Sequence, residues 1–205
     1  MVSRRNMLKT GLTAVFGACA VQTASASEVQ QKSQNNFDVV ILGAGTGGLV
    51  TAIEAADLGL KPVVLEKMEC SAGNSLYASG GIAAWGTSQQ KEEGRNETKE
   101  SFREDMMKVS EYRADPALVG AYVNHIPEDF EWLKKQGVKF SKIGKKPWPL
   151  NYRMHNVDGQ GLTGGARLVR YLLEACEKRN IPIIYNTKAI ELLTNDAGRV
   201  IGVRA

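Results

Sequence analysis

Four residues carry the first chemical signal in this chain: Gly43, Gly45, Gly48 and Glu66. The glycines form a Gly-x-Gly-x-x-Gly turn directly after an apolar run at residues 37–42, and Glu66 closes a second apolar run at 62–66. Such a turn holds the pyrophosphate of a dinucleotide when it joins a strand to a helix. Gly43 permits the sharp turn, Gly45 lets the backbone approach the phosphates, and Gly48 lets the helix lie close to the strand. The helix start then offers unsatisfied N–H groups and a partial positive charge to the anion. A carboxylate about twenty residues downstream accepts hydrogen bonds from ribose hydroxyls. An acid at this position disfavours a 2′-phosphate, which points to FAD or NAD rather than NADP.

The surrounding residues supply the elements that must position this turn. Ala52 and Ala55 fall on the helix face expected to pack on a sheet, Gly59 ends the helix, and residues 62–66 (PVVLE) read as a buried parallel strand. Residues 181–185 (IPIIY) predict another parallel strand, and 189–193 with 199–204 predict a hairpin around residues 195–198 (NDAG). Asp115 is a good N-cap with Pro116 at the first helical position; Pro127 is expected to open a second helix that Gly137 ends. Phe130, Trp132 and Leu133 are expected in the core, as is the stripe Leu168, Leu172, Cys176. Between Glu66 and Gly86 the run is so rich in Gly, Ser and Ala that a loop closing on a ligand is expected rather than a packed strand or helix.

The N-terminal residues have a separate pattern. Arg4 and Arg5 precede a short apolar stretch at 12–21 and Ala24-Ser25-Ala26, a secretory signal peptide with cleavage expected after Ala26. The paired arginines followed by Met7, Leu8 and Lys9 resemble the bacterial twin-arginine export signal, which moves folded, cofactor-loaded proteins. The stretch is too short and too interrupted to span a membrane. Residues 27–36 are polar and aperiodic, a flexible leader. Of the 26 Lys and Arg, three lie in residues 1–26, which hold no acid, so the remainder stands within one charge of its 22 acids. That balance offers no reason to invoke nucleic acid or an anionic membrane. Cys70 and Cys176 remain after cleavage, in no CxxC or CxxCH pattern, which gives no disulfide framework, zinc pattern or haem attachment; both are expected to be buried. His125 and His155 sit in no nucleophile or metal pattern, and residues 142–149 (KIGKKPWP) read as a solvated basic loop that could dock an electron-transfer partner.

The residues after Glu66 make a family resemblance specific. Glu66, Gly73-Asn74-Ser75 and Ser79-Gly80-Gly81-Ile82 resemble the flavin-binding run of the FAD-dependent oxidoreductase 2 family. That family contains fumarate reductases, succinate dehydrogenase flavoproteins, flavocytochrome c-like enzymes, urocanate-type reductases and 3-ketosteroid dehydrogenases. The similarity continues through residues 115–119, 130–133, Gly137-Val138, Thr163-Gly164-Gly165, 179–182 and 195–198. It implies an α/β, Rossmann-like FAD-binding domain over 37–205, with a parallel sheet and an added β-hairpin, the sheet ending before its topology closes.

The resemblance also implies a cofactor site. Gly43, Gly45, Gly47 and Gly48 would face the pyrophosphate and Glu66, followed by Lys67, the adenosine ribose. Asn74, Ser75, Ser79, Gly80 and Gly81 would line the pyrophosphate and isoalloxazine, and Ala189 would offer backbone groups to the adenine. Members with covalent flavin carry a histidine where this chain has Asn74, so non-covalent FAD is implied. Soluble fumarate reductases usually show His-Arg-Pro-Thr-Gly-Gly where this chain has residues 159–165 (GQGLTGG), with His155 upstream. The catalytic groups of the family would lie beyond residue 205, and none is assigned here. The implied reaction is hydride transfer from flavin to an activated C=C bond, with a small-molecule substrate and a separate haem or other redox protein as electron donor. A 3-ketosteroid 1-dehydrogenase-like enzyme and an FAD-binding module without activity are the alternatives.

Overall fold

The computed structural model describes residues 36–205, apart from 72, 146, 149–151 and 161–162. The signal peptide and nearly all of the leader expected from the sequence lie outside the described residues, as do parts of the 142–149 loop and of the 159–165 run. From Asn36 the chain runs through β1 (Val39–Leu42), the glycine turn, α1 (Thr46–Asp57) and β2 (Pro62–Leu65). β1 and β2 pair in parallel, with Val39 opposite Pro62 and Leu42 opposite Leu65. Parallel neighbours need a crossover, and α1 provides it. A long excursion then precedes β5 (Ile183–Ile184), which joins β2 in parallel and gives the order β1-β2-β5.

α1 buries Leu49, Ala52, Ile53 and Ala55. Leu49, Ala52 and Ile53 meet Ile41 and Val64 from the sheet and Val169, Leu172, Ala175 and Cys176 from α5 (Gly164–Lys178), forming the larger core. Each fully buried Leu or Ile there is worth about 1.5–3 kcal/mol relative to exposure. Arg179, just past α5, holds Asp57 at the end of α1 through two bonds of 2.7 and 2.8 Å. This ties the far ends of the two helices that share the core.

The excursion builds a second layer. The Gly/Ser/Ala run expected to stay irregular instead forms a 3₁₀ turn (Gly73–Tyr77) and β3 (Gly81–Ala83). β3 gains order by pairing antiparallel with β4 (Met154–Asn156), a partner more than 70 residues away that local composition cannot reveal. Next come α2 (Ser88–Glu92), capped by a reciprocal Thr87–Gln90 box, α3 (Lys99–Val109) and α4 (Pro116–Lys135). Phe102, Val119, Val123 and Ile126 form the smaller core between α3, α4 and Ala84. Phe130 is fully buried, while Trp132 and Leu133 pack partly buried against the larger core. The predicted hairpin is present as β6 (Glu191–Thr194) and β7 (Val200–Arg204), with Ala189 and Ile190 preceding the first strand. The Asn195 side chain fixes its turn by accepting from the Ala197 and Arg199 N–H groups. Cys176 is buried as expected, and burial pushes its thiol up to about 11; Cys70 is exposed, contrary to expectation.

Pro127 does not open a helix. It lies inside the continuous α4, whose N-cap is Asp115, accepting from the Ala117 N–H at 2.7 Å. A proline inside a helix leaves the carbonyl four residues earlier without its donor. That carbonyl belongs to Val123, and the Trp85 indole N–H donates to it at 2.7 Å. A side chain from outside the helix thus replaces the missing backbone donor. Trp85→Phe should therefore destabilise the protein by about 1–3 kcal/mol in urea unfolding. In a Pro127→Ala background, where the new N–H can reach Val123, the same substitution should cost clearly less. Equal costs in both backgrounds would contradict this account.

Candidate functional site

Three segments converge at the carboxyl ends of β1, β2 and β5, where open α/β sheets bind their ligands. Gly43 follows β1 with φ +100°, and its N–H donates to Leu65 O at 2.8 Å. Gly48 sits so close to Gly43 that a Cβ there would collide with the Gly43 carbonyl. Gly45 is the N-cap of α1 and supplies no side-chain cap, and the first turn of the helix holds no acid. Gly47 is exposed with open space around it, and Gly45 is half-buried. The positive end of α1 is therefore left accessible to an anion.

Glu66 is buried and doubly held. One carboxylate oxygen accepts from Ala44 N–H at 2.7 Å and the other from Met68 N–H at 2.9 Å. Each oxygen keeps a lone pair for a further donor such as a ribose hydroxyl. Lys67 beside it is exposed. Beyond the regular strands, residues 66–68 stay alongside 184–187: Glu66 N–H donates to Ile184 O, Thr187 N–H to Glu66 O, and Asn186 N–H to Met68 O. Ala189, half-buried, follows two residues after Thr187 on this rim.

The fourth wall is the run from Ser75 to Gly81. Ser75 Oγ accepts from Thr46 N–H at 3.4 Å and lies 3.2 Å from Thr46 Oγ1, joining the 3₁₀ turn to the start of α1. Asn74 and Ser79 are exposed, Gly80 and Gly81 half-buried. Behind this run stands the start of α5. A Cβ on Gly164 would strike Ser79 O, and one on Gly165 would strike Ser75 O, so both positions admit only glycine. Thr163 caps α5 by accepting from Ala166 N–H at 3.0 Å and also donates its hydroxyl to Leu76 O. Gly165 N–H donates to Ala78 O at 2.9 Å.

The sequence-predicted residues Gly43, Gly45, Gly47, Gly48, Glu66, Ser75, Ser79, Gly80 and Gly81 thus belong to one connected surface. Asn74 and Lys67 lie at its exposed margin. Two participants were not singled out from sequence, the Ala44 N–H and Thr46; Thr163 and Gly164 were named there as part of the family motif, and the structure shows them bracing the wall. Thr46 could have been found, since a hydroxyl at the first helical position beside a glycine N-cap stands next to any bound anion. A cavity of about 1090 Å³ lies elsewhere, between α1, α2 and α4, and none of these residues lines it. Its lining carries four acids, Glu54, Glu128, Asp129 and Glu131, against two lysines, Lys91 and Lys135, a net negative charge unsuited to a pyrophosphate.

Behind β3 lies His155 on β4, fully buried against the Phe130 ring, centroids 4.5 Å apart. Its Nδ1 donates to Arg153 O at 2.7 Å, which leaves Nε2 to accept from the Thr87 hydroxyl at 2.9 Å. Burial lowers its pKa, outweighing the carbonyls of Arg153 and Ile82 and the more distant Glu93 and Glu131. Among the described residues no group of three or more His, Cys, Asp or Glu is placed to hold a metal ion.

A parallel βαβ unit with a glycine turn, a buried carboxylate at the second strand and a small-residue wall defines a dinucleotide-binding flavoprotein domain. The chain matches the model of the FAD binding domain family over residues 38–205 and belongs to that family. FAD is accordingly its cofactor, and the cradle fits it: glycines where a Cβ would obstruct, an accessible helix start for the phosphates and a fixed carboxylate for the ribose. The sequence is 36% identical over 169 residues to a fumarate reductase (cytochrome) of Shewanella frigidimarina, covering 82% of this chain and 29% of that protein. Among solved structures, 3-ketosteroid-Δ4-(5α)-dehydrogenase from Rhodococcus jostii RHA1 aligns with TM-score 0.73 and 26% identity, over 84% of this chain and 43% of that one. The open conformation of a flavocytochrome c3 fumarate reductase aligns with TM-score 0.69 and 27% identity, over 82% and 29%. The chain therefore spans less than half the length of each of these proteins.

Two outcomes follow from this geometry. Gly164→Ala should abolish retention of FAD on purification, since the new methyl displaces Ser79 and Gly80, whereas Gly120→Ala, in open space on α4, should leave it intact. Second, a histidine held neutral by burial binds a proton more readily once unfolded. Its contribution to stability is complete above its ordinary pKa of about 6.5 and is lost as pH falls through the lowered folded value. Urea midpoints should fall from pH 7 to 5.5, and His155→Gln should flatten that slope; an unchanged slope would contradict the assignment.

Proposed function

We propose that the whole protein is an exported FAD-dependent oxidoreductase that reduces an activated C=C bond in a small unsaturated acid. The observation that carries this reading is the 36% identity to a fumarate reductase (cytochrome). In this reading residues 1–26 are a twin-arginine signal peptide, 27–36 a leader and 37–205 the FAD-binding domain, and the protein works in the periplasm.

The residue roles follow the cradle. Gly43, Gly45, Gly47 and Gly48 bring backbone N–H groups to the pyrophosphate, and Glu66 accepts from the adenosine ribose with Lys67 beside it. Ala189 offers its backbone to the adenine. Ser75, Ser79, Gly80 and Gly81 line the path toward the isoalloxazine. Asn74 presents an amide, which is not nucleophilic, so FAD is held without a covalent bond. When bound, FAD supplies reversible two-electron chemistry by taking up or giving a hydride at N5. The protein's part is to position the flavin and tune its electronics. In this reading a separate haem or other redox protein is the electron donor.

A second reading has its own support: among the solved structures compared above, the higher TM-score belongs to a 3-ketosteroid dehydrogenase. In that case the substrate would be a 3-ketosteroid and the reaction its oxidation. The purified chain should show flavin absorption bands that pass into the supernatant on acid precipitation. Bands retained by the precipitate would overturn non-covalent binding, and a colourless protein that takes up no added FAD would overturn the cofactor assignment. For the whole protein, oxidation of reduced viologen by fumarate or a related unsaturated acid supports the first reading. Dye reduction driven by a 3-ketosteroid, with no turnover of unsaturated acids, supports the second.

A further inference from the structure

Among the described residues β3 pairs only with β4, and a two-stranded sheet holds its place poorly by itself. The strand that carries Gly81 has other support. Three successive carbonyls, those of Ile82, Ala83 and Ala84, each meet a side-chain donor from a different element. His155 Nδ1 of β4 lies 3.3 Å from Ile82 O, the Tyr122 hydroxyl of α4 donates to Ala83 O at 2.7 Å, and the Gln90 amide of α2 donates to Ala84 O at 3.2 Å. We propose that Thr87, Gln90 and His155 form a buried bracket that positions β3 against the flavin ring, which makes all three cofactor-positioning residues. This rests on the reading that Gly80 and Gly81 line the path toward the isoalloxazine.

The bracket is closed, and all three side chains are buried. Thr87 is its junction. The Thr87 hydroxyl donates to His155 Nε2 at 2.9 Å and accepts from Gln90 N–H at 3.1 Å, while Thr87 N–H donates to Gln90 Oε1 at 3.2 Å. The second amide hydrogen of Gln90 goes to Tyr152 O at 2.9 Å, so one side chain joins the exit of β3 to the entry of β4. His155 Nδ1 likewise faces one carbonyl on each side of the pairing, Ile82 O and Arg153 O. Every donor in the three side chains thus has an acceptor. Apolar residues would fill this space without the cost of burying polar groups. A fully satisfied polar network instead specifies one arrangement, as a wall facing a planar ring requires.

The bonds of the bracket all end on β3, β4 and the residues flanking them. The other end of the cradle is held separately: Gly43 N–H donates to Leu65 O, and Glu66 accepts from the Ala44 and Met68 N–H groups. The flavin and adenosine ends of the cofactor therefore answer to different supports, and damage to the bracket should be felt at one end alone.

The test uses the full chain, with affinities for FAD and for ADP measured by calorimetry; ADP carries the adenosine and two phosphates without the flavin. Thr87→Val keeps the branched shape and removes the junction hydroxyl. It should weaken FAD about tenfold, the size expected when buried partners are left unsatisfied, and change ADP by less than about twofold. The visible circular dichroism of the bound flavin, which reports a fixed ring environment, should shrink. Thr87→Ser keeps the hydroxyl and should restore FAD affinity within about threefold of wild type. Gln90→Met should repeat the split between FAD and ADP, and it carries the test should Thr87→Val melt below the assay temperature. FAD and ADP weakened in parallel would overturn the bracket by reducing it to general stability, and unfolding of both variants would do the same. FAD affinity within twofold of wild type in both variants, or no rescue by Thr87→Ser, would also overturn it while leaving the FAD site standing. Wild-type chain that binds FAD no more tightly than ADP would overturn the placement of the ring beside β3, and the bracket with it. A chain that binds neither would overturn the dinucleotide site itself.

Discussion

Close approach of backbone to backbone, at positions where only glycine fits, is the constraint on which the rest of this structure depends. It operates twice. At Gly48 the start of α1 lies against the carbonyl of Gly43, and at Gly164 and Gly165 the start of α5 lies against the carbonyls of Ser79 and Ser75. The two helices then share one apolar core, Leu49 and Ile53 on one side and Val169 and Leu172 on the other. Because both helix starts are set by contacts that admit no side chain, the surface between them is fixed by steric exclusion rather than by a few adjustable polar bonds. Protein interiors resist compression, so a displacement at one glycine contact is carried to the other through the shared core.

The charge arrangement at this surface is coherent with that geometry. α1 begins with a glycine cap and no acid, leaving its dipole unopposed within its own first turn. The nearby carboxylate, Glu66, is kept from acting as a general repellent because Ala44 and Met68 N–H groups hold both oxygens in place. The surface thus has two different ends, an N–H-rich helix start and a hydrogen-bonded carboxylate. Behind the small-residue wall, Arg153 precedes β4 and is buried with Glu97 and Asp105, at 2.8 and 2.7 Å. Burial works against its charge, but the two acids outweigh it and hold its pKa up. Removing one partner from such a buried group is far more costly than the net worth of the pair. The cluster therefore serves to fix where β4 begins, and through the β3–β4 pairing where Gly81 stands.

What was legible in the sequence was whatever is encoded locally. The βαβ unit declares itself because Gly43, Gly45, Gly48, Ala52, Gly59 and Glu66 each answer a requirement of their immediate neighbours. The 195–198 turn and the Asp115–Pro116 helix start are local in the same sense. What was not legible depended on a distant partner. The segment around Gly81 reads as loop until β4 is placed beside it. Pro127 reads as a helix start because nothing nearby replaces its missing donor; the replacement, Trp85, is a side chain from a different element. Cys70 reads as buried from its residue type alone, although the loop that carries it lies outside both cores.

Thr46 shows the same limit at the site itself. By type and position it is an ordinary threonine early in a helix, where a hydroxyl can bond back within the helix as Thr51 does. Only the placement of Ser75, which depends in turn on Gly165 and Thr163, gives the Thr46 hydroxyl an outside partner. The glycine motif identifies the class of ligand because its physical requirements are confined to one turn of chain. The wall beside that motif is distributed over three elements, α1, the 3₁₀ turn and α5. A change at the α5 start can therefore displace that wall without touching the glycine motif at all.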